Sequence, residues 1–397
     1  MSEVVNLEEL CTGIIDCPHS TPKWQDKGIP VIRNYNLKDG KIDCTNLSFV
    51  SEEDYKERVK RAIPEESDII ISREAPMGVV GIVPKEFQCC LGQRLVLLKI
   101  DKSKCIPKYL LYTLMSEYVQ VQIRRINQTG SIVSNLNISS LKKLKIPLHN
   151  FEEQRKIANI LSAIDDKIQI NNQINQELEA MAKTLYDYWF VQFDFPDQNG
   201  KPYKSSGGKM VYNPELKREI PEGWGVEKLK YFLTIKNGKD HKNLQDGKFA
   251  VYGSGGIMRS VTDYLYSGES ILFPRKGTLN NVMYVNEKFW TVDTMFYSEV
   301  NKNNSALYVF YSVKDIDFNK LNTGTGVPSM TSSILYDLNI IVPEENILEK
   351  FNTVVKRNYE TIKLNNIQNQ ELIQLRDWLL PMLMNGQVYK RIEGKND

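Results

Sequence analysis

At 397 residues and 45.8 kDa the chain is long enough for two domains with separate cores, and 41% hydrophobic with 25% charged residues excludes a disordered or fibrous protein. A formal net charge of +2 excludes a uniformly basic nucleic-acid coat, so any phosphate-binding surface has to be local. No apolar run is long enough for a membrane span, and the acidic start from Met1 to Leu10 lacks a signal-peptide pattern; the expectation is a cytoplasmic chain without a membrane partner.

In chain order, Ser67–Ser72 and Leu95–Ile100 read as buried strands, and Pro107–Met115 as a helix that opens on proline, where the missing N–H is no loss. Residues 121–145 hold five basic residues and no acidic one. Among them stand Asn127, Gln128, Thr129, Ser131 and Asn135, short donors and acceptors of the kind that meet phosphates and base edges. A long helix is predicted over 152–190, because Ile157, Leu161, Ile164, Ile168, Asn171, Asn175, Leu178, Ala182 and Leu185 alternate at spacings of four and three. That 3.5-residue average keeps them on one stripe, the seam of a coiled coil. Residues 190–209 are dense in turn formers and read as a connector with one hairpin.

The second half begins with basic, amide-bearing stretches on glycine loops, Lys236–Asn243 and Arg275–Asn281. Ser270–Phe273 and Asn339–Val342 read as buried strands. A second, more polar seam runs through Phe351, Val355, Asn358, Ile362, Asn365, Asn369, Leu372, Arg376 and Leu379, in a helix that meets Pro381 and stops by Gly386.

The chain also repeats itself. Asn171–Leu178 recurs as Asn365–Leu372, matching at six of eight positions with an offset of 194. Upstream, Thr129-Gly130 matches Thr325-Gly326 and Leu144–Pro147 matches Ile340–Pro343, both at 196, so a two-residue change after each proline is expected. Asn171, Asn175, Asn365 and Asn369 fall on the apolar stripes. Either they pair across antiparallel helices and set the register, or the periodicity slips and they face solvent.

Enzymatic signatures are missing. Ser206-Gly-Gly-Lys209 is too short for a phosphate loop, and Pro196-Asp197 with Lys201 lacks the second carboxylate of a nuclease site. Asn213-Pro214-Glu215 lacks the second proline and aromatic residue of an amino-methyltransferase motif. The six cysteines, Cys11, Cys17, Cys44, Cys89, Cys90 and Cys105, form no Cys-x2-Cys pair, and His19, His149 and His241 are scattered. No catalytic and no metal residues are therefore assigned, and the cysteines are expected reduced and mostly buried.

Over nearly its whole length the sequence resembles the DNA specificity subunit of Type I restriction–modification enzymes. The likeness is carried by Gly130–Leu136 running through Leu144–Pro147 into Glu152–Leu161, and by Ile220-Pro-Glu-Gly-Trp224. Val251–Gly256, Pro274–Gly277, Phe289–Thr294 and Leu375–Leu383 with Gly386 add to it. The resemblance implies an α+β fold: two mixed α/β target recognition domains separated by two long antiparallel coiled-coil helices in a pseudo-twofold internal repeat. The domains would span 1–150 and 226–345, the helices 151–190 and 346–386, the connector 191–225 and a tail 387–397. Each domain would read half of a split double-stranded DNA site. Two modification subunits would dock on the helices, joined, where present, by two restriction subunits.

No cofactor is expected on this chain. The resemblance implies S-adenosylmethionine, ATP and Mg on the partner subunits. By the family pattern Arg275, Asn280 and Asn281 lie at the reading surface of the second domain, and the counterpart loop around Arg73 and Gly78 matches through the arginine. The candidate DNA contacts are then Arg73, Arg124, Arg125, Gln128, Thr129, Ser131, Lys142 and Lys143 in the first half. In the second they are Lys239, His241, Tyr252, Ser254, Arg275, Lys276, Asn280, Asn281 and Thr325. The alternatives are a non-catalytic coiled-coil adaptor, which has no need of basic amide-rich loops in both halves, and the recognition fragment of a fused methyltransferase or nuclease.

Overall fold

A computed structural model describes residues 3–128, 135–324 and 326–385, the side chains of 127 and 128 excepted. The chain divides into two units, Met1–Asn171 with Ile367–Asp397, and Asn172–Asn366. Each unit therefore owns one β-rich domain and a stretch of both long helices.

In the first unit the main sheet is antiparallel, in the order Cys11–Asp16, Leu95–Ile100, Ile69–Ser72, Val80–Ile82. Its two central strands are almost wholly buried because their alternate side chains feed two cores. Ile69, Ile71, Val96 and Leu98 point to one, and Ile70, Leu95 and Leu97 to the other. A second sheet sets Ile29–Ile32 between Cys90–Leu91 and Ser48–Val50, with Trp24–Gln25 at its edge. Pro107–Met115 is a helix with proline in its first turn, as its sequence predicts.

The second unit has a six-stranded sheet in the order Leu233–Asn237, Met295–Val300, Tyr266–Pro274, Met283–Thr291, Asp246–Gly253, Gly256–Val261. The stretch read as a connector adds to this unit's core. Phe190, Phe193, Phe195 and Trp224 are buried, Phe195 stacks on Trp224 at 4.8 Å, and Phe190 meets Phe351 edge-on at 5.0 Å. Between 190 and 209 pairing is limited to a bridge from Pro196 to Pro202; the hairpin proper is Met210–Asn213 with Arg218–Pro221.

The repeat is visible bond by bond, and it corrects one alignment. Glu3–Asn6 pairs with Lys145–Leu148, and Gly225–Lys228 pairs in the same way with Asn339–Val342. Leu7 N donates to Leu144 O and Leu229 N to Leu338 O; the Tyr109 hydroxyl donates to Pro147 O and that of Tyr308 to Ile341 O. Pro147 thus corresponds to Ile341, not Pro343, and the offset of 194 holds from the ladder into the helices without a two-residue change. The backbone carbonyl that receives the tyrosine is the repeated feature, and a proline is not needed to supply it.

The long helices are Phe151–Tyr186, continued by a π turn at Asp187–Val191, and Glu345–Met384, which runs past Pro381 for three more residues. Every residue of both predicted stripes is buried or half-buried. In the first unit the helices run antiparallel: Asn171 Nδ2 donates to Asn369 Oδ1 and Gln368 Oε1, both at 2.8 Å, and Arg376 Nη1 donates to Asp165 Oδ1 at 3.1 Å. In the second, Asn365 Nδ2 donates to Asn175 Oδ1 at 2.8 Å, Asn175 Nδ2 to Asn366 Oδ1 at 2.9 Å, and Asn358 Nδ2 to Leu178 O at 3.3 Å.

Asp165 joins three elements, because its Oδ2 also accepts the Tyr112 hydroxyl at 2.6 Å and its carbonyl accepts Lys41 Nζ at 3.3 Å. With both charged side chains only 9% exposed, removing Asp165 leaves the Arg376 charge with its Asp377 contact at 3.2 Å in a poorly solvated site. Asp165→Ala should therefore cost about 3–5 kcal/mol. Asp165→Leu with Arg376→Met should recover most of that loss, as read from thermal and urea midpoints.

Candidate nucleic-acid interface

In both units a central strand ends on an arginine at the same backbone position. Ile69–Ser72 leads into Arg73, whose N–H donates to Arg94 O at 2.8 Å and whose carbonyl accepts Leu136 N at 3.0 Å. Tyr266–Pro274 leads into Arg275, whose N–H donates to Thr294 O at 2.8 Å and whose carbonyl accepts Met330 N at 2.9 Å.

The side chains differ. Arg73 Nη1 donates to both carboxylate oxygens of Asp16 at 2.8 Å, Nε to Leu136 O at 3.1 Å and Nη2 to Asn135 Oδ1 at 3.2 Å, which leaves the side chain 12% exposed. Its donors are spent inside the protein. Arg275 is exposed, lies 5.9 Å from the Phe296 ring centre, and has no ion pair among the described residues. The sheet register explains the difference. Across the first sheet Asp16 faces Val96, which faces Ile71; across the second Asn237 faces Phe296, which faces Phe273. Asn237 thus stands where Asp16 does, an amide in place of a carboxylate. It lines, with Arg275, Lys276, Ser329, Met330 and Thr331, a depression of about 240 Å³.

Around Arg275 the structure gathers several of the candidates. Gly277 takes φ +90° and donates to Pro328 O at 3.0 Å; a Cβ there would fall 2.8 Å from Ser254 Oγ. Asn281 Nδ2 donates to Ser254 O at 2.8 Å, and Asn280 Nδ2 to Asp317 Oδ1 at 3.2 Å. Lys239 follows Asn237 by two residues; its carbonyl accepts Trp290 Nε1 at 2.9 Å and its side chain is exposed. His241 is half-buried, its Nδ1 without a hydrogen-bond partner. Tyr252 is 8% exposed in the core, with its hydroxyl donated to Glu287 at 2.9 Å and burial pushing its pKa up. It lies near the end of the strand Asp246–Gly253, where Val251 and Gly253 are buried as well, so both faces of the strand end are covered.

In the first unit the helix Glu117–Gln128 lies against the loop after Arg73: Gln120 Nε2 donates to Gly78 O at 3.0 Å, and a Cβ on Gly78 would meet Ile123 at 3.0 Å. Arg124 pairs with Glu117, while Arg125 is exposed. Lys142, half-buried, and Lys143, exposed, end the short helix that Asn137 caps. The Gln128 side chain, Thr129, Ser131 and Thr325 lie outside the described residues. Sequence reasoning passed over Asp16 and met Asn237 only within the stretch Lys236–Asn243, because only the strand register brings either beside the arginines.

Burial pushes the thiols of Cys89 and Cys105 up to about 12, which leaves them protonated and inert near neutral pH. Among the described residues no group of three or more His, Cys, Asp or Glu could hold a metal ion, and no helix is long and apolar enough to cross a membrane.

Comparison with known proteins agrees with this geometry. The family model of the Type I restriction modification DNA specificity domain matches residues 2–180 and 221–374. The Type I restriction enzyme MjaIX specificity subunit of Methanocaldococcus jannaschii is 29% identical over 367 residues, 85% of this chain and 81% of that protein. The HindI specificity subunit of Haemophilus influenzae is 22% identical over 376 residues, 75% of this chain and 81% of its own length. Among solved structures, the crystal structure of a Type-I restriction-modification system S subunit from M. genitalium shares the fold, with a TM-score of 0.59, 18% identity and 96% of each chain covered. The chain belongs to the Type I restriction–modification specificity family and is the DNA specificity subunit, a non-catalytic component, of such an enzyme.

Proposed function

We propose that each unit reads one block of a split double-stranded DNA site and that each offers one docking surface to a modification subunit. The observation that carries this reading is a repeat of exposed apolar residues on the helices. The first unit exposes Ile160 by 39%, Ile170 by 52% and Leu375 by 42%. Under the offset of 194 the second exposes their counterparts, Val354 by 45%, Leu364 by 66% and Met181 by 61%. Apolar side chains that stay on the surface twice over, at matched positions, suit two copies of one partner.

The partners supply the chemistry. The modification subunits bring S-adenosylmethionine and methylate adenine, and restriction subunits, where present, bring ATP and Mg. The assembly acts in the cytoplasm, where the DNA is. In the second unit Arg275, Lys276, Asn280, Asn281, Ser254 and Lys239 form the candidate reading face, and in the first Arg125, Lys142 and Lys143 contribute phosphate contacts. The buried asparagines fix the helix register, since an amide on an apolar stripe pairs in one alignment only.

Docking is testable by stoichiometry. Ile170→Asp and Leu364→Asp should each reduce the complex from two modification subunits to one, and together to none, as weighed by native mass spectrometry. Loss of both subunits from either single variant would contradict separate surfaces.

Reading and phosphate contact separate by salt. Arg275→Ala should weaken one block by about 1–3 kcal/mol and leave the other unchanged. Lys142→Ala and Lys143→Ala should lower affinity for all sequences and reduce the salt slope by about one each.

The helices act as a ruler. The first, at 36 residues and about 1.5 Å per residue, is about 54 Å long, or about 16 base pairs at 3.4 Å each. Deleting or duplicating one four-residue turn within 158–170 should change the unread spacer or abolish activity, and should never change the specified bases. Methylome sequencing reads the outcome, and a continuous site would sink the mechanism.

A further inference from the structure

The first unit carries a cation that the reading above leaves unused. Arg33 follows the strand Ile29–Ile32 and opens the turn Asn34–Asn36. Its backbone is held from inside: Arg33 N donates to Asn36 Oδ1 at 3.0 Å, and the buried Asn36 amide donates to the carbonyls of Asp43 and Asn46 at 3.1 and 3.2 Å. The guanidinium lies 5.2 Å from the Trp24 ring centre and 4.9 Å from that of Tyr35. Both rings are exposed, by 45% and 52%, and the Tyr35 hydroxyl is also 3.2 Å from Ser48 Oγ.

Arg33 has no carboxylate partner among the described residues. Its side chain makes one long hydrogen bond, from Nη1 to the Tyr35 hydroxyl at 3.5 Å. A structural arginine in this same unit looks different, since Arg73 is wrapped by Asp16, Asn135 and Leu136. The two sites adjoin, for Asn34 Nδ2 donates to the carbonyl of Glu74, the residue after Arg73. Beside the strand end where Arg275 stands free in the second unit, the first therefore presents a different arginine, set over two exposed rings with most of its donors unspent. Stacking holds the planar fork without consuming its N–H groups, so little side-chain entropy is left to lose on binding.

We propose that Arg33, held over the Trp24 and Tyr35 rings, is the base-reading arginine of the first unit and takes the O6 and N7 acceptors of a guanine in the major groove. The proposal rests on the two-reader assignment. Its chemistry follows from the fork, whose rigid planar geometry matches that pair of acceptors bidentately and loses less freedom on binding than a flexible ammonium.

The test uses the complex with its modification subunits and duplexes in which each specified base pair is replaced in turn. Arg33→Ala should weaken the cognate duplex by about 5-fold to 150-fold and abolish discrimination at one position of one block. Arg33→Lys, which keeps the charge, should lose the same discrimination with an unchanged salt slope. Arg275→Ala should act on the other block. Arg33 is exposed, so an unchanged melting midpoint will separate these effects from misfolding. If Arg33→Ala lowers affinity equally for every duplex and flattens the salt slope, and Arg33→Lys restores both, the contact is to phosphate and base reading is overturned. If Arg33→Ala changes nothing while Arg275→Ala alters one block, Arg33 is no reader and the two-reader assignment stands. If neither variant changes either block, both fall.

Discussion

The paired amides between the two long helices are the constraint on which the rest of the molecule depends. Asn171 is fully buried, and its Nδ2 satisfies Asn369 and Gln368; Asn365 reaches Asn175 in the matching way. A stripe of leucines would associate more strongly but would tolerate a slip of one heptad. An amide left opposite an isoleucine after such a slip would lose its hydrogen bonds in a site that water does not reach, at a cost of about 1–3 kcal/mol for each group. The buried Arg376–Asp165 pair adds a charged version of the same restriction in the first unit, and the Tyr112 hydroxyl ties it to the domain.

Each domain is anchored by helix ends as well as by its own strands. In the first unit Leu380, Leu383 and Met384 of the second helix enter the core beside Ile157 and Leu161 of the first, and His149 Nε2 meets Met384 O at 3.0 Å. In the second unit Ala182 and Phe190, from the end of the first helix, pack with Ile347, Phe351 and Val355 from the start of the second. A helix whose end is part of a domain's core cannot rotate without repacking that core, because interiors packed to crystal density have no slack.

Duplication did not leave the two units alike. The backbones that present Arg73 and Arg275 make the same hydrogen bonds, so the platform is shared. The exchange of a carboxylate for an amide, Asp16 against Asn237, changes what the arginine can do. One guanidinium is closed off as a strut, and the other is left to face solvent. One difference on the next strand but one thus accompanies a different setting for the same residue type.

The two halves, the long helices, the central strands and the seam were legible in the amino-acid sequence, because each rests on short-range periodicity. Side chains repeating every 3.5 residues, or β-branched runs between turn formers, declare themselves locally, and the Asn171–Leu178 repeat declares the duplication. Three matters were decided by tertiary structure alone. The true equivalence of Pro147 with Ile341 depends on which carbonyl the Tyr109 and Tyr308 hydroxyls reach across the fold. The burial of Tyr252 depends on tertiary cover over both faces of its strand end, since Val251 and Gly253 are buried with it. The separate fates of Arg73, Arg275 and Arg33 depend on neighbours as far as 63 positions away in sequence, Asp16 and Leu136 for the first and Trp24 and Tyr35 for the last. Charge and aromatic character are written in the chain, but whether a charge is neutralised, stacked or free is a property of what folding sets beside it.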